Sequence, residues 1–281
     1  MSQTSISKNM WPRLSLSPLT AIQASPPELV TAAADAGFDS VGIRVCPAAS
    51  DTAWPMLGGR TLMVRETCRR LDDAGLTVHD VEVLRLHPDK DPDEALHILD
   101  AAVELGARAV LVNGSDPDHQ RQADRYADLC VEAESRGLQL SLEFMAFSEI
   151  RTLAEALHIA SHASSSAAAL VIDTLHLERS GGSPADLAAV PAELLNYVQL
   201  ADTTIEPAPS TTQDLIVEAR EDRKLPGDGD LPLASTLRAC GALEVISIET
   251  PVRAHATLDL RTQADLAYRA LRRTVETALP I

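Results

Sequence analysis

Ala168-Ala-Leu-Val-Ile-Asp-Thr-Leu-His176 sets five apolar residues in front of an aspartate and, three positions on, a histidine. The same kind of run recurs on either side. Leu138-Gln-Leu-Ser-Leu-Glu143 precedes it, and Tyr197-Val-Gln-Leu200 and Leu243-Glu-Val-Ile-Ser-Ile-Glu249 follow. Toward the N-terminus stand Leu14-Ser-Leu-Ser17, Ser40-Val-Gly-Ile-Arg-Val45, Thr77-Val-His-Asp-Val-Glu-Val-Leu84 and Ala109-Val-Leu-Val112. Between these short runs lie longer amphipathic stretches, an alternation that marks βα units and a parallel sheet.

The punctuation agrees with this reading. Ser25 and Pro26-Pro27 are start signals for a first helix, and Asp35-Ala-Gly37 ends it with a glycine. Further helices are expected over about 60–74, 92–105, 117–136, 148–162, 184–189, 231–240 and 262–278. The longest stretch read as irregular, about 202–230, would lie over the active face. Eight strand runs, each followed by a helix, predict an α/β closed (β/α)8 barrel. The 281 residues suffice for one such domain over 1–281, since barrels commonly need about 250 residues. No linker divides the chain. Residues 1–11 are polar and are expected to be disordered or to extend over the barrel bottom. A doubly wound open sheet is disfavoured, because neither GxGxxG nor GxxxxGKS is present.

Composition narrows the function. Aromatics make up only 3% of the chain, so Leu, Val, Ile and Ala must fill the core. A net charge of −17 repels phosphate backbones and argues against a nucleic-acid partner. Cys46, Cys68, Cys130 and Cys240 form no CxxC pair and read as reduced thiols of a cytoplasmic protein. No apolar signal core opens the chain, and no apolar run approaches the roughly 18 residues of a membrane span.

Barrel active sites are built from the carboxyl ends of strands. Glu143, Asp173 and Glu249 directly follow apolar runs, and Gln199 sits near the end of its own, so strands five to eight each bring one oxygen donor to the mouth. Three carboxylates this close raise one another's pKa, and a divalent cation resolves the conflict. An all-oxygen donor set favours magnesium or manganese, with cobalt admissible, over zinc. His176 lies beside Asp173 as a candidate for substrate contact or acid–base work. Glu82 stands in apolar company and needs a partner, for which Arg44 and Arg85 are placed. Arg223, next to the Pro226-Gly-Asp-Gly229 turn, suits a carboxylate-, phosphate- or hydroxyl-bearing substrate. The remaining histidines show no metal-ligand spacing, and His158 and His162 lack the glutamate of HExxH.

The segments Ala33–Val41, Leu140–Phe144, Val171–His176, Tyr197–Asp202, Arg223–Pro232 and Ser247–Pro251 resemble, in order, the xylose isomerase-like superfamily of sugar isomerases and epimerases, which are TIM barrels. The resemblance implies one divalent metal held by Glu143, Asp173, Gln199 and Glu249. It implies that Glu143 and Glu249 act as proton acceptor and donor on opposite substrate faces, and that His176 contacts substrate. Many sugar epimerases carry histidine where this chain has Gln199, whereas glutamine there is similar to dehydroshikimate dehydratase-like members. The superfamily's endonuclease branch is a poor match, since no histidine-rich multi-metal pattern is present. Homo-oligomers are common in the superfamily. The expectation is a metal-dependent isomerase or epimerase of a ketose or sugar derivative, working by proton abstraction beside a carbonyl through a metal-stabilised enediolate. A lyase of a keto-hydroxyacid or 3-keto sugar is the alternative, and a non-catalytic small-molecule-binding barrel is the reading from another class.

Overall fold

The computed structural model describes residues 11–47 and 53–279. Eight parallel strands close a barrel in sequence order: β1 (Arg13–Leu16), β2 (Ser40–Arg44), β3 (Thr77–Leu86), β4 (Ala109–Gly114), β5 (Gln139–Glu143), β6 (Ala168–Asp173), β7 (Leu195–Leu200) and β8 (Val245–Ile248). β1 pairs with β8 from Arg13↔Val245 to Leu16↔Ile248, which completes the ring. The expected extension over 1–11 lies outside the described residues except for Trp11, which is half-buried against the core.

Helices cover the barrel: α1 (Pro26–Ala36), α2 (Leu62–Ala74), α3 (Pro92–Glu104), α4 (His119–Ser135), α5 (Leu153–His162), α6 (Thr174–Arg179), α7 (Thr212–Glu221), α8 (Leu233–Cys240) and α9 (Leu260–Ala278). α1 starts as its sequence predicts, with Glu28 accepting the Ser25 N–H, and ends on Gly37 at φ 98°. The stretch 184–189 is a 3-10 helix.

Two helices were not anticipated. α7 occupies the middle of the 202–230 stretch, where Thr211 and Asp214 form a capping box. Its large apolar residues fall together at Leu215-Ile-Val217 rather than at helical spacing, so the periodicity is faint there. α6 begins directly at the end of β6 because Asp173 caps it.

The strands are buried on both faces, as in parallel barrels. Leu14, Ile43, Val81, Val110, Leu140, Ile172, Leu200 and Ile246 point outward into the layer beneath the helices. Val83, Leu111, Val171, Tyr197 and Val245 fill the barrel interior. That alternation decides which strand-end residues face the mouth.

Candidate metal centre at the barrel mouth

Leu142, Ile172, Val198 and Ile248 face outward, so the residues that follow them, Glu143, Asp173, Gln199 and Glu249, face inward. Asp173 pairs with Gln199, and Gln199 with Ser247, two residues before Glu249. All four are buried.

Asp173 Oδ1 accepts the N–H groups of Leu175 and His176 at 2.8 and 3.0 Å. The short α6 that results returns His176 to the site. Its Nε2 stands 3.9 Å from Glu143 Oε1, and Phe147 packs edge-on against its ring. Ligand atoms of Glu143, Asp173 and His176 lie within 4.8 Å of one another.

Glu249 is engaged on both oxygens. Oε1 accepts from Ser17 Oγ at 2.9 Å and from Gln199 Nε2 at 3.0 Å. Oε2 faces Arg223 Nη2 at 3.0 Å. Arg223, expected as a substrate contact, lies inside this cluster. Its Nη1 donates to Asp173 Oδ2 at 2.6 Å and to the Glu249 carbonyl, and its Nε donates to the Ala219 carbonyl. On the opposite side of the mouth Arg44 donates to Glu82 Oε2 at 2.8 Å. Arg85 stands half-buried further along β3, where its charge acts on the Cys46 thiol. A cavity of about 390 Å³ opens above, lined by Arg44, Glu82, Glu143, His176, Arg223 and Glu249 among others.

The residues fit a divalent cation on two counts. Gln199 Oε1 is buried with no hydrogen-bond partner among the described residues, a state that costs about 1–3 kcal/mol if left unmet. Among the described residues, Asp80, Glu82, Glu143, Asp173 and Glu249 are buried against only two buried guanidinium groups, Arg44 and Arg223. Protons or a cation must balance the excess. Arg223 competes with a cation for Asp173 and Glu249.

The proton affinities follow this charge map. Burial, then the charges of Glu249 and Asp173, pushes Glu143 well above the carboxylate range. Burial pushes Glu249 to about 8 against the pull of Arg223. Burial works against Asp173 too, but Arg223 and His176 hold its carboxyl below the ordinary value. Burial lowers His176 to about 4, so the ring is neutral at pH 7.

Four contributors escaped the sequence reading. Asn113 sits opposite Glu143 in the β4–β5 pairing and lines the cavity. It follows Val112 at a strand end, the same signal that singled out Glu143. Ser17 bridges Glu82 and Glu249 from the end of β1. Asp80 and Tyr197 lie below the site inside the barrel, with 3.4 Å between Tyr197 Oη and Asp80 Oδ2. Asp80 shares the apolar run that singled out Glu82, whereas Tyr197 carried no sequence signal, because interior depth depends on closure of the barrel.

The family model for the xylose isomerase-like TIM barrel matches residues 30–274, and the chain belongs to that family. It is 26% identical over 285 residues to a 3-dehydroshikimate dehydratase of Pseudomonas putida, an alignment covering 93% of this chain and 43% of the relative. The chain thus spans less than half the length of that curated relative. Among solved structures, the IOLI protein with a bound zinc atom superposes with a TM-score of 0.79 at 17% identity, covering 96% of this chain and 100% of that one. D-Psicose 3-epimerase with D-tagatose, from Clostridium cellulolyticum H10, superposes with a TM-score of 0.68 at 15% identity, covering 93% and 98%. At such identities these likenesses establish the fold alone. The Pseudomonas relative and the psicose epimerase are both enzymes by name. No helix among the described residues is long and apolar enough to cross a membrane.

Proposed function

We propose that the chain is a divalent-metal-dependent enzyme that removes the proton beside a carbonyl of a hydroxylated small molecule, and that it completes the reaction by expelling a β-hydroxyl as water. The asymmetry between the two glutamates carries this reading. Glu249 receives Ser17, Gln199 and Arg223, whereas Glu143 has the neutral imidazole of His176 at 3.9 Å. Epimerisation needs two carboxylates free to trade protons on opposite faces, and elimination needs one base. Gln199, in place of histidine, and the dehydratase name of the Pseudomonas relative support the same choice.

Glu143, Asp173, Gln199 and Glu249 would hold the cation, with His176 near enough to add a nitrogen. The oxygen-rich set favours manganese or magnesium, and the added imidazole admits cobalt. A divalent cation there supplies Lewis-acid polarisation of the carbonyl and the positive charge that keeps the carboxylates ionised. Glu143, whose burial makes it a strong base once ionised, takes the proton from the carbon beside the carbonyl. Protonated Glu143 then gives that proton to the β-hydroxyl, which leaves as water, and Glu143 returns to its carboxylate form. Arg44 and Glu82 orient the hydroxyl and carboxyl groups of the substrate, and Arg223 holds Asp173 and Glu249 in place.

The second reading is ketose epimerisation, with Glu143 and Glu249, which both line the cavity, exchanging the proton. Manganese-loaded protein in deuterated water, given 3-dehydroshikimate or D-psicose, separates the two. A new conjugated absorbance from the first compound supports the lyase. Deuterium incorporated into psicose without loss of water supports the epimerase and overturns the lyase. Glu143→Gln abolishes turnover in either case, by about a thousandfold or more. Full activity in that variant removes Glu143 from the mechanism.

A further inference from the structure

A second depression of about 470 Å³ lies beside the metal cavity. Leu19, Ile22, Gln23, Arg220 and Glu221 line both, so the two are neighbours beside the C-terminal end of α7. Their chemistry differs. The metal cavity is walled by carboxylates, guanidinium groups and an imidazole. The depression is walled by Leu19, Ile22, Pro251, Val252, Leu258 and Leu260. These side chains come from the segments that follow β1 and β8, on the active face of the barrel. Leu258 is 37% exposed, among the few large apolar side chains that stand in the open. Apolar residues gathered in a concave groove, unlike scattered ones, call for an occupant. The volume falls within the roughly 300–1,000 Å³ of small-molecule sites. The charged residues Glu28, Arg220, Glu221 and Arg253 also border it.

We propose that the substrate is amphipathic: a polyhydroxylated or keto-acid head sits in the metal cavity, and an aryl or alkyl arm lies in the groove of Leu19, Ile22, Val252 and Leu258. The inference rests on the metal cavity being the reaction site, as argued above. It adds that specificity is set on the apolar side, by the β1 and β8 segments. The arm gains about fourfold in affinity for each methylene it buries. Arg220 and Glu221, at the junction, select the link between head and arm.

Methyl, hexyl and phenyl β-D-glucopyranosides serve as probes, with manganese-loaded and metal-free protein compared by ligand-observed NMR. Hexyl and phenyl protons receive saturation from the protein, and both compounds bind at least about tenfold more tightly than the methyl glycoside. Val252→Asp and Leu258→Asp remove that advantage. Leu258 is already exposed, so its variant folds even if the other does not. Absence of saturation at the apolar protons, or its survival in both variants, overturns the inference. A change of oligomeric state in Leu258→Asp with ligand saturation intact assigns the groove to a second copy of the chain and overturns it as well. Manganese reports the head separately. Broadening of sugar protons beyond that of the apolar protons supports the placement of the head. Saturation of the arm without such broadening overturns the reading of the metal cavity and leaves the groove as an apolar site.

Discussion

At Gln199 a single side chain divides its two ends between a carboxylate and an unmet oxygen. Its Nε2 holds Glu249 while its Oε1 stays buried without a partner among the described residues. Gln199→Ala therefore weakens manganese binding by about 10- to 100-fold and releases one restraint on Glu249. Gln199→His retains the metal, since imidazole is also a ligand, but gives up the amide donor. Titration calorimetry with manganese distinguishes the two variants, and equal affinity in wild type and Gln199→Ala removes Gln199 from the ligand set.

A second residue sets the acid limit. Burial, followed by the charges of Arg13 and Arg108, holds His79 at about 3. The unfolded chain takes up a proton near the ordinary histidine value, 6.5, that the folded barrel refuses. This contribution to stability is complete above pH 6.5 and is lost as pH falls toward 3, by about 1.4 kcal/mol per pH unit. Urea unfolding across that window shows the slope, and His79→Gln flattens it by one proton.

Among the elements, the segment from α7 to Leu231 delivers Arg223 to the carboxylates. Asp202, at the end of β7, anchors it. Its carboxylate accepts the N–H groups of Gly227, Gly229 and Leu231 at 2.9–3.0 Å, and that of Thr203 at 2.9 Å. Asp202→Ala leaves four backbone donors unmet and destabilises the fold by about 3 kcal/mol or more, read as a lower urea midpoint. Gly229 is required by close approach, because a Cβ there would meet the Thr203 carbonyl and Asp202 Oδ1 at 2.4 Å. This segment read as irregular because its order comes from Asp202 and from the Arg179–Glu218 pair that ties α6 to α7. Those partners are far apart in sequence. By contrast α1, with its serine, prolines and terminal glycine, is written entirely in local signals.

At the scale of the whole molecule, the excess of buried carboxylates predicts that stability depends on a bound cation. Removing it with a chelator lowers the melting temperature, and saturation at 100 times the dissociation constant restores about 2.7 kcal/mol. Arg223→Ala deepens the dependence, because Asp173 and Glu249 then lose their buried countercharge. A melting temperature indifferent to manganese and chelator would remove the cation from the account.

The order of eight strands and the inward polar residues of β5 to β8 were determined by the sequence. Strand burial and alternation are local periodicities, and a period of two assigns each side chain a face without reference to any other strand. Only the tertiary structure decided how those faces meet. It drew Arg223 from the expected substrate contacts into the carboxylate cluster, added Ser17 and Asn113 to the mouth, and left Glu143 less restrained than Glu249. Those outcomes depend on distances between chain segments up to 232 residues apart. Barrel closure fixes such distances, and no local pattern encodes them.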